Sequence, residues 1–437
     1  METITKVSIK EKIISEFELN KNSLFGDSTV RKNALDCFSK LGIPGRKSEE
    51  YKYVNMELTL KGDFAFSSSL AVTAQQTRLP DGQVEKATIV KNAIVVVIEN
   101  GVFSAKHSKL GVLPKGLIIQ NISDATSLDS FKSHYSNYSD AASDPFVALN
   151  TALASGGVFM HVAKSAVIEL PIHIIHLNTC AIPTIINARN LVVVEENAQA
   201  TIVESFVISS DSAKIFNNAL SEIVVAANAN VKHYKIQDEG DAGNLVNTTQ
   251  VYQKKQSVFS TNNFTLSGSL VRNNLIIVLD DEHIESHLNG LYLTKGNQVV
   301  DNHTLVDHRK PNCNSNELYK GIIDDKSAAT FNGKIYVRKD AQKTNAFQSN
   351  KNILLSDDGT INTKPQLEIY ADDVKCSHGT STGKLDEDQV FYLRARGLSE
   401  ASAKKLLMHA FASEVVNTIE LEELKNYLEA EISNRFE

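Results

Sequence analysis

The stretch over residues 158–374 constrains the fold most, because β-branched runs of strand length follow one another there without any helical apolar spacing between them. Similar units begin at Val193, Val224, Val251 and Ile277, at offsets of 31, 27 and 26 residues. Each unit is an apolar strand, a polar turn and another strand. The recurrence is typical of a solenoid, in which each rung buries its inward side chains on its neighbours. A large β-sandwich would contain the same short strands and stays open as an alternative.

Helical patterns flank this β region. Residues 29–41 carry apolar side chains on one helix face and are followed by Gly42, which predicts a short amphipathic helix. Short strands are predicted within residues 87–119, and helix within residues 128–153. The chain is therefore predicted to contain an N-terminal helical and mixed domain over residues 1–157, a β core over 158–383 and a C-terminal helical domain over 384–437.

After Gly383 the apolar period becomes that of helices. Residues 386–389 resemble a capping box and predict a helix that ends at Gly397, and Ser399 predicts the cap of a second helix. One apolar stripe is predicted along the second and third helices, formed by Ala403, Leu406, Leu407, Ala410, Phe411, Val415, Leu421, Leu424, Tyr427, Leu428 and Ile432. Such a stripe usually forms core, and a terminal helical module also offers a docking surface for a partner.

Composition excludes several classes of partner. A formal net charge of −7, from 45 Lys and Arg against 52 Asp and Glu, provides no basic surface for nucleic acid. No apolar segment has the length of a secretory signal core or a membrane span. Cys37, Cys180, Cys313 and Cys376 are too scattered for a disulfide framework or a tetrathiolate site. We expect a cytoplasmic protein that binds neither nucleic acid nor membrane.

The common catalytic motifs are absent from the sequence. It contains no GxxxxGK[ST] phosphate loop, no GxGxxG after a strand, no HExxH and no GxSxG. We therefore predict no catalytic residues. Any nucleotide hydrolysis that this protein depends on must come from another chain.

Histidines and acids concentrate within residues 280–308. If DDEHIESH is a strand, alternation places His283, Glu285 and His287 on one face, where they could bind a divalent ion. A solvent-exposed polar face explains the same pattern. The second half of the stretch adds His303, Asp307 and His308.

Cys376 and His378 stand two residues apart in DDVKCSHG and would share one face of a continuing strand. A thiolate and an imidazole on one face, followed by Gly379, could form half of an iron or copper site. A buried free cysteine beside a hydrogen-bonded histidine is the alternative.

A long run over residues 301–398, which includes NELYKGIIDDKSAATFNGKIYV and DDVKCSHG, resembles the SufB/SufD family of iron–sulfur cluster assembly proteins, and its SufD branch in particular. GIPGRKSEEYKYVN, residues 42–55, resembles the N-terminal motif of that family, with Tyr51 where its members typically have Trp. The resemblance is weak over residues 63–250.

The resemblance implies a mainly β fold, a right-handed parallel β-helix flanked by N- and C-terminal α-helical domains. It implies pairing with the SufB paralogue through the β-helices, and binding of the ATPase SufC by the C-terminal helical domain. In that family a transient iron–sulfur cluster forms at the SufB–SufD interface, with sulfur from a cysteine desulfurase. The chain would then be a non-catalytic subunit. Self-pairing of the isolated chain and binding of reduced flavin stay open.

The resemblance also implies site residues. His378 matches the SufD histidine regarded as a cluster ligand or as the residue that admits iron, and Cys376 accompanies it. Around Ser349 and Asn350, where SufB would supply an acceptor cysteine, this chain has none, which argues against this subunit accepting persulfide sulfur. Two rival functions are a polysaccharide-active β-helix enzyme, which the absence of Trp weakens, and a metal-storage or metal-delivery protein.

Overall fold

The computed structural model describes residues 8–68, 82–209 and 212–435. Its helices are α1 (Ile9–Asn20), α2 (Ser28–Leu41), α3 (Met56–Thr59), α4 (Gln83–Ala87), α5 (Asp129–His134), α6 (Pro145–Leu153), α7 (Glu387–Ala395), α8 (Glu400–Val416) and α9 (Glu422–Arg435). None of these described helices combines the length and the apolar composition that crossing a membrane requires.

The strands account for most of the described chain. They are β1 (Ala65–Phe66), β2 (Ile94–Glu99), β3 (Val102–Phe103), β4 (Leu117–Asn121), β5 (Val158–Val162), β6 (Ile172–Asn178), β7 (Thr184–Ile186), β8 (Arg189–Val194), β9 (Gln199–Ile208), β10 (Ile215–Val225), β11 (Asn230–Asp238), β12 (Gly243–Gln253), β13 (Val258–Ser267), β14 (Leu270–Leu279), β15 (Glu285–Thr294), β16 (Val299–His308), β17 (Asn314–Ile323), β18 (Ala328–Val337), β19 (Thr344–Leu354), β20 (Thr360–Ile369) and β21 (Val374–Gly383).

From β8 onward the strands alternate between two sheets that face each other across a shared interior. In the described residues, sheet A has the order β20-β18-β16-β14-β12-β10-β8-β5-β4, with β7 beside β10 and β1 beside β7, and sheet B has the order β21-β19-β17-β15-β13-β11-β9-β6-β2-β3. Each turn of chain adds one parallel strand to each sheet, which gives a β-solenoid of about 8 turns. The prediction of a parallel β-helix flanked by helices is confirmed.

The register explains the recurrence in the sequence. Val224 lies opposite Val193, and Ile277 lies opposite Val251, at the predicted offsets of 31 and 26 residues. On its other side Val224 pairs with Tyr252 rather than Val251, so the predicted offset of 27 is one residue short of the true step. The sequence period is therefore the length of one solenoid turn.

The turns that lead from sheet A to sheet B stack as regularly as the strands. From the β5–β6 turn to the β18–β19 turn, each contains one residue with a left-handed backbone, at φ between 56° and 62°, and these residues are Ser165, Asn197, Asn228, Gln256, His283, Asn312 and Lys343. The backbone N–H of Asn197 donates to Ala227 O at 3.0 Å, and that of Asn228 donates to Lys255 O at 2.9 Å. These bonds join one turn to the next, so the turns form a ladder of their own.

The N-terminal helices cover the outer face of sheet A. Side chains of α1, α2 and α6 form one apolar cluster with Ile185, Phe216, Val246 and Leu270 of the sheet. Asp27 caps α2 by accepting from two backbone N–H groups of its first turn. The predicted helix over residues 29–41 is therefore confirmed, and its apolar face is fixed by burial against the sheet.

Tyr51 fastens the GIPGRKSEEYKYVN segment to the solenoid. It is buried, and its hydroxyl donates to Asp144 Oδ2 at 2.6 Å. The Arg272 guanidinium lies 3.9 Å from the centre of the Tyr51 ring and donates to Asp301 Oδ2 at 2.5 Å. The tyrosine thus serves as the aromatic anchor that its place in the motif implies.

The C-terminal helices cover the outer face of sheet B. Asp386 and Ser399 cap α7 and α8, as predicted. Met408, Ala412, Val415, Val416, Leu424, Leu428 and Ile432 pack on side chains of β9, β11, β13, β15 and β17. Leu406 and Ala410, which were predicted to lie in the buried stripe, are exposed. The prediction was wrong for these two residues because the docking face of α8 follows the 408, 412, 415, 416 spacing instead.

We expect Gly290→Ala to destabilise the solenoid. A Cβ at this position would lie 2.3 Å from the ring of Tyr319, which is almost fully buried on the next turn of sheet B. Overpacking of this kind costs about 1 to 3 kcal/mol, measurable as a lower free energy of unfolding in urea. Gly383→Ala is the matched control, because a Cβ there meets nothing within 4 Å. Equal stabilities for the two variants would contradict the packing described.

Candidate functional site

Strands β20 and β21 form the last turn of the solenoid. In the described part of the chain, β20 pairs only with β18, and β21 only with β19. Most side chains of β20 are half-buried, and most of those of β21 are exposed. The last turn therefore presents two unpaired strand edges, one from each sheet, together with the interior between them.

Cys376 and His378 both lie on this last turn. Strand β21 continues to Gly383, so the two residues share its inward face, as their spacing predicts. Cys376 lies opposite Ala346 and packs against a small apolar cluster, and this burial raises the pKa of its thiol. His378 lies opposite Gln348 and is exposed. The imidazole is thus the more accessible of the two groups.

Gly379 and Ser349 face outward next to this pair. They lie opposite each other in the register, and a Cβ on Gly379 would meet nothing within 4 Å. Asn350 faces inward and is buried, where its amide N–H group donates to Tyr319 O at 3.2 Å. Neither Ser349 nor Asn350 supplies a thiol at this position.

A groove of about 590 Å³ crosses the outer face of sheet B. One row of lining side chains runs from Lys232 to Ser377 and a second from Tyr234 to Gly379, while Glu420 of the C-terminal segment lies beside them. The groove reaches the last turn at Ser377, His378 and Gly379. The outer face of sheet B is therefore open to a ligand as far as the last turn.

Three residues that sequence reasoning missed form the floor of the last turn. Gln348 is buried and donates its amide N–H to Glu317 Oε2 at 2.7 Å. Its amide extends to Gly333 of sheet A, where an added Cβ would lie 2.2 Å from Gln348 Nε2. Burial raises the pKa of Glu317 to about 7. No sequence motif marks these residues, since only the register shows that they converge.

The three-residue face predicted in DDEHIESH is only partly present. Glu285 and His287 share a face of β15, and His287 Nε2 lies 3.8 Å from Glu285 Oε2. His283 lies outside the strand, in the stacked turn, with a left-handed backbone at φ 59°. The prediction was wrong for His283, because the strand begins after the turn residue rather than before it.

The remaining polar residues of that stretch are held by neighbours. His303 Nε2 lies 2.9 Å from Asp301 Oδ1. Asp307 accepts from Arg338 Nε at 2.8 Å. His308 is buried, and this burial lowers its pKa to about 4. Each of these three residues is therefore either paired with a neighbour or buried in the solenoid.

A buried charge network lies deeper in the solenoid. His176 Nε2 and His233 Nε2 lie 3.0 and 3.3 Å from the two carboxylate oxygens of Glu204, and Lys235 Nζ lies 3.7 Å from one of them. Burial alone would raise the pKa of Glu204, but Lys235 and the histidines hold it well below its usual value. Across the described ranges, no three His, Cys, Asp or Glu side chains are grouped so as to hold a metal ion.

Comparison with known protein families agrees with this architecture. Residues 176–411 match the family described as "SUF system FeS cluster assembly, SufBD core domain". Residues 13–174 match the family described as "SufBD protein N-terminal region". Together the two matches cover nearly the whole chain.

Individual relatives agree with the family matches. An iron–sulfur cluster assembly SufBD family protein of Synechocystis is 33% identical over 418 residues, which are 93% of this chain and 90% of that protein. The iron–sulfur cluster assembly protein SufD of Escherichia coli is 30% identical over 409 residues, 92% of this chain and 91% of that protein. SufD of Bacillus subtilis is 25% identical over 295 residues, 66% of each chain.

We expect Glu317→Gln to change how stability depends on pH. Because the folded-state pKa of Glu317 is about 7, above the ordinary value of 4.5, its contribution to stability is fully present below pH 4.5 and is lost as pH rises through 7. The variant cannot ionise at this position and so does not lose this stability. Between pH 5 and pH 8 its free energy of unfolding should therefore rise by about 2 to 3 kcal/mol relative to that of the wild type. Urea unfolding at both pH values measures the difference.

The exposed Glu285 provides the control. Glu285→Gln removes a carboxylate from the surface of the same sheet and is the matched variant. If the free energy of unfolding of Glu317→Gln depends on pH as that of the wild type does, Glu317 is not held protonated by burial.

Proposed function

This chain belongs to the SufBD family of iron–sulfur cluster assembly proteins, and from that membership we propose that it is the SufD-type subunit of an assembly complex. In this proposal it catalyses no reaction itself. It pairs with a SufB-type paralogue, binds a SufC-type ATPase, and contributes His378 to the place where the nascent cluster is built. The observation that carries the proposal is the open last turn with an exposed imidazole on its inward face.

The two free strand edges support pairing through the solenoid. Long unpaired edge strands attract other strands, and proteins normally cover or interrupt them. Both β20 and β21 are ten residues long, and they end the two sheets at the same turn. A partner with the same two-sheet architecture could continue both sheets at once. A second copy of this chain could do the same, which keeps self-pairing of the isolated subunit a prediction.

The position of His378 supports a ligand that is shared between chains. An imidazole is a competent iron ligand and binds less tightly than thiolate, which suits a site that must release its product. Cys376 is partly covered by its apolar neighbours, so we assign it the secondary role. The other ligands would come from the partner across the free edges. A role of His378 in admitting iron to this interface belongs to the same proposal.

An exposed apolar patch on the C-terminal module supports ATPase docking. Phe391 and Tyr392 of α7 are 72% and 57% exposed, and Leu398 and Leu406 are exposed nearby in the sequence. The buried apolar side chains of α8 and α9 pack against sheet B. The docking surface is therefore assigned to α7 and the first half of α8. Deleting the whole module would uncover sheet B, so single substitutions test the assignment better.

The rival functions lose support once the family is known. Neither polysaccharide cleavage nor metal storage accounts for matches that span both regions of the chain. The reduced flavin and the cytoplasmic location stay predictions.

We expect His378→Ala to abolish cluster assembly without unfolding the subunit. The side chain is exposed, so the free energy of unfolding should stay within about 0.5 kcal/mol of the wild type. Iron and sulfide in the co-expressed three-protein complex should fall to background, and Cys376→Ser should lower them less. His287→Ala is the matched control, an outward-facing histidine of the same sheet. A full cluster in the His378→Ala complex would refute the ligand assignment.

We expect the double variant Phe391→Ser, Tyr392→Ser to weaken ATPase binding. Exposed aromatic anchors in interfaces contribute about 2 kcal/mol or more, which corresponds to about a 30-fold rise in Kd. Calorimetry with the purified SufC-type protein measures the change. Tyr53→Ser, at an exposed tyrosine of the N-terminal region, should leave Kd unchanged. An unchanged Kd in the double variant would move the docking surface elsewhere.

A further inference from the structure

The floor of the last turn contains an amide oxygen without a partner. Glu317, Gln348 and His378 occupy one inward-facing row on three successive turns of sheet B. Gln348 donates its amide N–H to Glu317 on one side. Its Oε1 is buried and, within the described structure, has no hydrogen-bond partner. Buried acceptors are normally paired, so a donor is expected next to this oxygen.

The orientation of this amide is fixed by two neighbours. The side chain of Gln348 crosses the interior to Gly333, where the missing Cβ leaves room for it. Its Nε2 is directed to the Glu317 carboxyl at 2.7 Å. When Glu317 is ionised, turning the amide over would bring two oxygens together and remove the donor from Glu317. The amide oxygen is therefore the group that remains available to the next residue of the row.

That next residue is His378, whose ring carries an N–H donor. A histidine that binds a metal through one ring nitrogen almost always donates its other N–H to an oxygen acceptor, which fixes the tautomer and the orientation of the ring. Gln348 Oε1 is an acceptor of this kind, one turn away and without another partner.

We propose that Gln348 is a positioning residue for His378: its amide oxygen accepts one ring N–H of His378 and thereby directs the other ring nitrogen to the open end of the solenoid. Glu317 and Gly333 hold Gln348 in place for this purpose. The proposal rests on the proposed function, in which His378 is the cluster ligand, and it names the buried residues that orient that ligand.

The buried carboxyl suits this role chemically. Burial raises the pKa of Glu317 to about 7, so near neutral pH about half of the molecules hold this carboxyl uncharged, which lowers the cost of burying it. The ionised form accepts the amide N–H of Gln348 through Oε2 and fixes the orientation of the amide.

The test reads the tautomer of His378 in the full-length chain. Nitrogen-15 NMR of selectively labelled histidine distinguishes the protonated from the bare ring nitrogen, and the signals of His378 are identified by their loss in His378→Ala. In the wild type the two shifts should lie near their protonated and bare limits. In Gln348→Met, which keeps the side-chain length and removes the acceptor, they should move toward each other as the tautomers mix.

A further variant separates positioning from a merely structural effect. Gln366→Met makes the same change at a glutamine of the last turn that lies on the outward face of β20, and it should leave the shifts unchanged. Wild-type shifts in Gln348→Met, or shifts that move equally in Gln366→Met, would overturn the proposal.

The complex provides a second readout. Loss of an outer partner of a metal-binding histidine typically lowers metal affinity by about 10- to 100-fold, so the Gln348→Met complex should need at least tenfold more ferrous iron for half-loading. Unchanged loading would overturn the proposal. The NMR experiment does not depend on cluster assembly. A full cluster in the His378→Ala complex would refute the proposed function, and the NMR experiment would still decide whether Gln348 orients the His378 ring.

Discussion

Parallel pairing between successive turns is the interaction on which the rest of the molecule depends. It stacks each inward side chain on its counterpart one turn away, so large residues require small neighbours. The Tyr319 ring occupies the space beside Gly290, and Tyr292 occupies the space beside Gly321 in the adjacent row. A slip of one residue would turn every inward side chain outward. The register therefore decides which residues reach the interior and which can form a site.

Two buried carboxyls on inward rows of sheet B show how neighbouring groups decide whether a buried acid in this interior is charged. Glu204 is surrounded by Lys235 and two histidines, which hold its pKa well below the usual value despite burial. Glu317 has no cation beside it among the described residues, and burial raises its pKa to about 7. The group around Glu204 is thus a satisfied, fixed network. Gln348 Oε1, one turn before His378, is one of the buried polar atoms of the described chain that have no hydrogen-bond partner.

The sequence predicts what is local and misses what depends on register. Val193 pairs directly with Val224, so the length of one solenoid turn appears in the sequence as a repeat. The N-cap at Ser399 could be predicted because capping depends only on residues close in sequence. Helix α1 went unnoticed, although Ser8 and Glu11 form a capping box at its start. His283 was assigned to a strand although it lies in a turn, and Gln348 was not recognised at all. The position of each residue depends on the register between turns, which residues close in sequence do not determine.

The C-terminal module links the proposed ATPase surface to the open end of the solenoid. Helix α8 is one continuous helix, and about 12 Å separates Leu406 in the exposed patch from Glu414 along its axis. Glu414 forms ion pairs with Lys320 of β17 and Lys351 of β19, the latter at 3.4 Å. Lys351 lies opposite Ser381 of β21. A movement of the exposed patch would therefore be transmitted through α8 to β17 and β19, the strands next to the last turn. Under the proposed function, this linkage would connect the ATPase surface to the strands that lie next to the last turn.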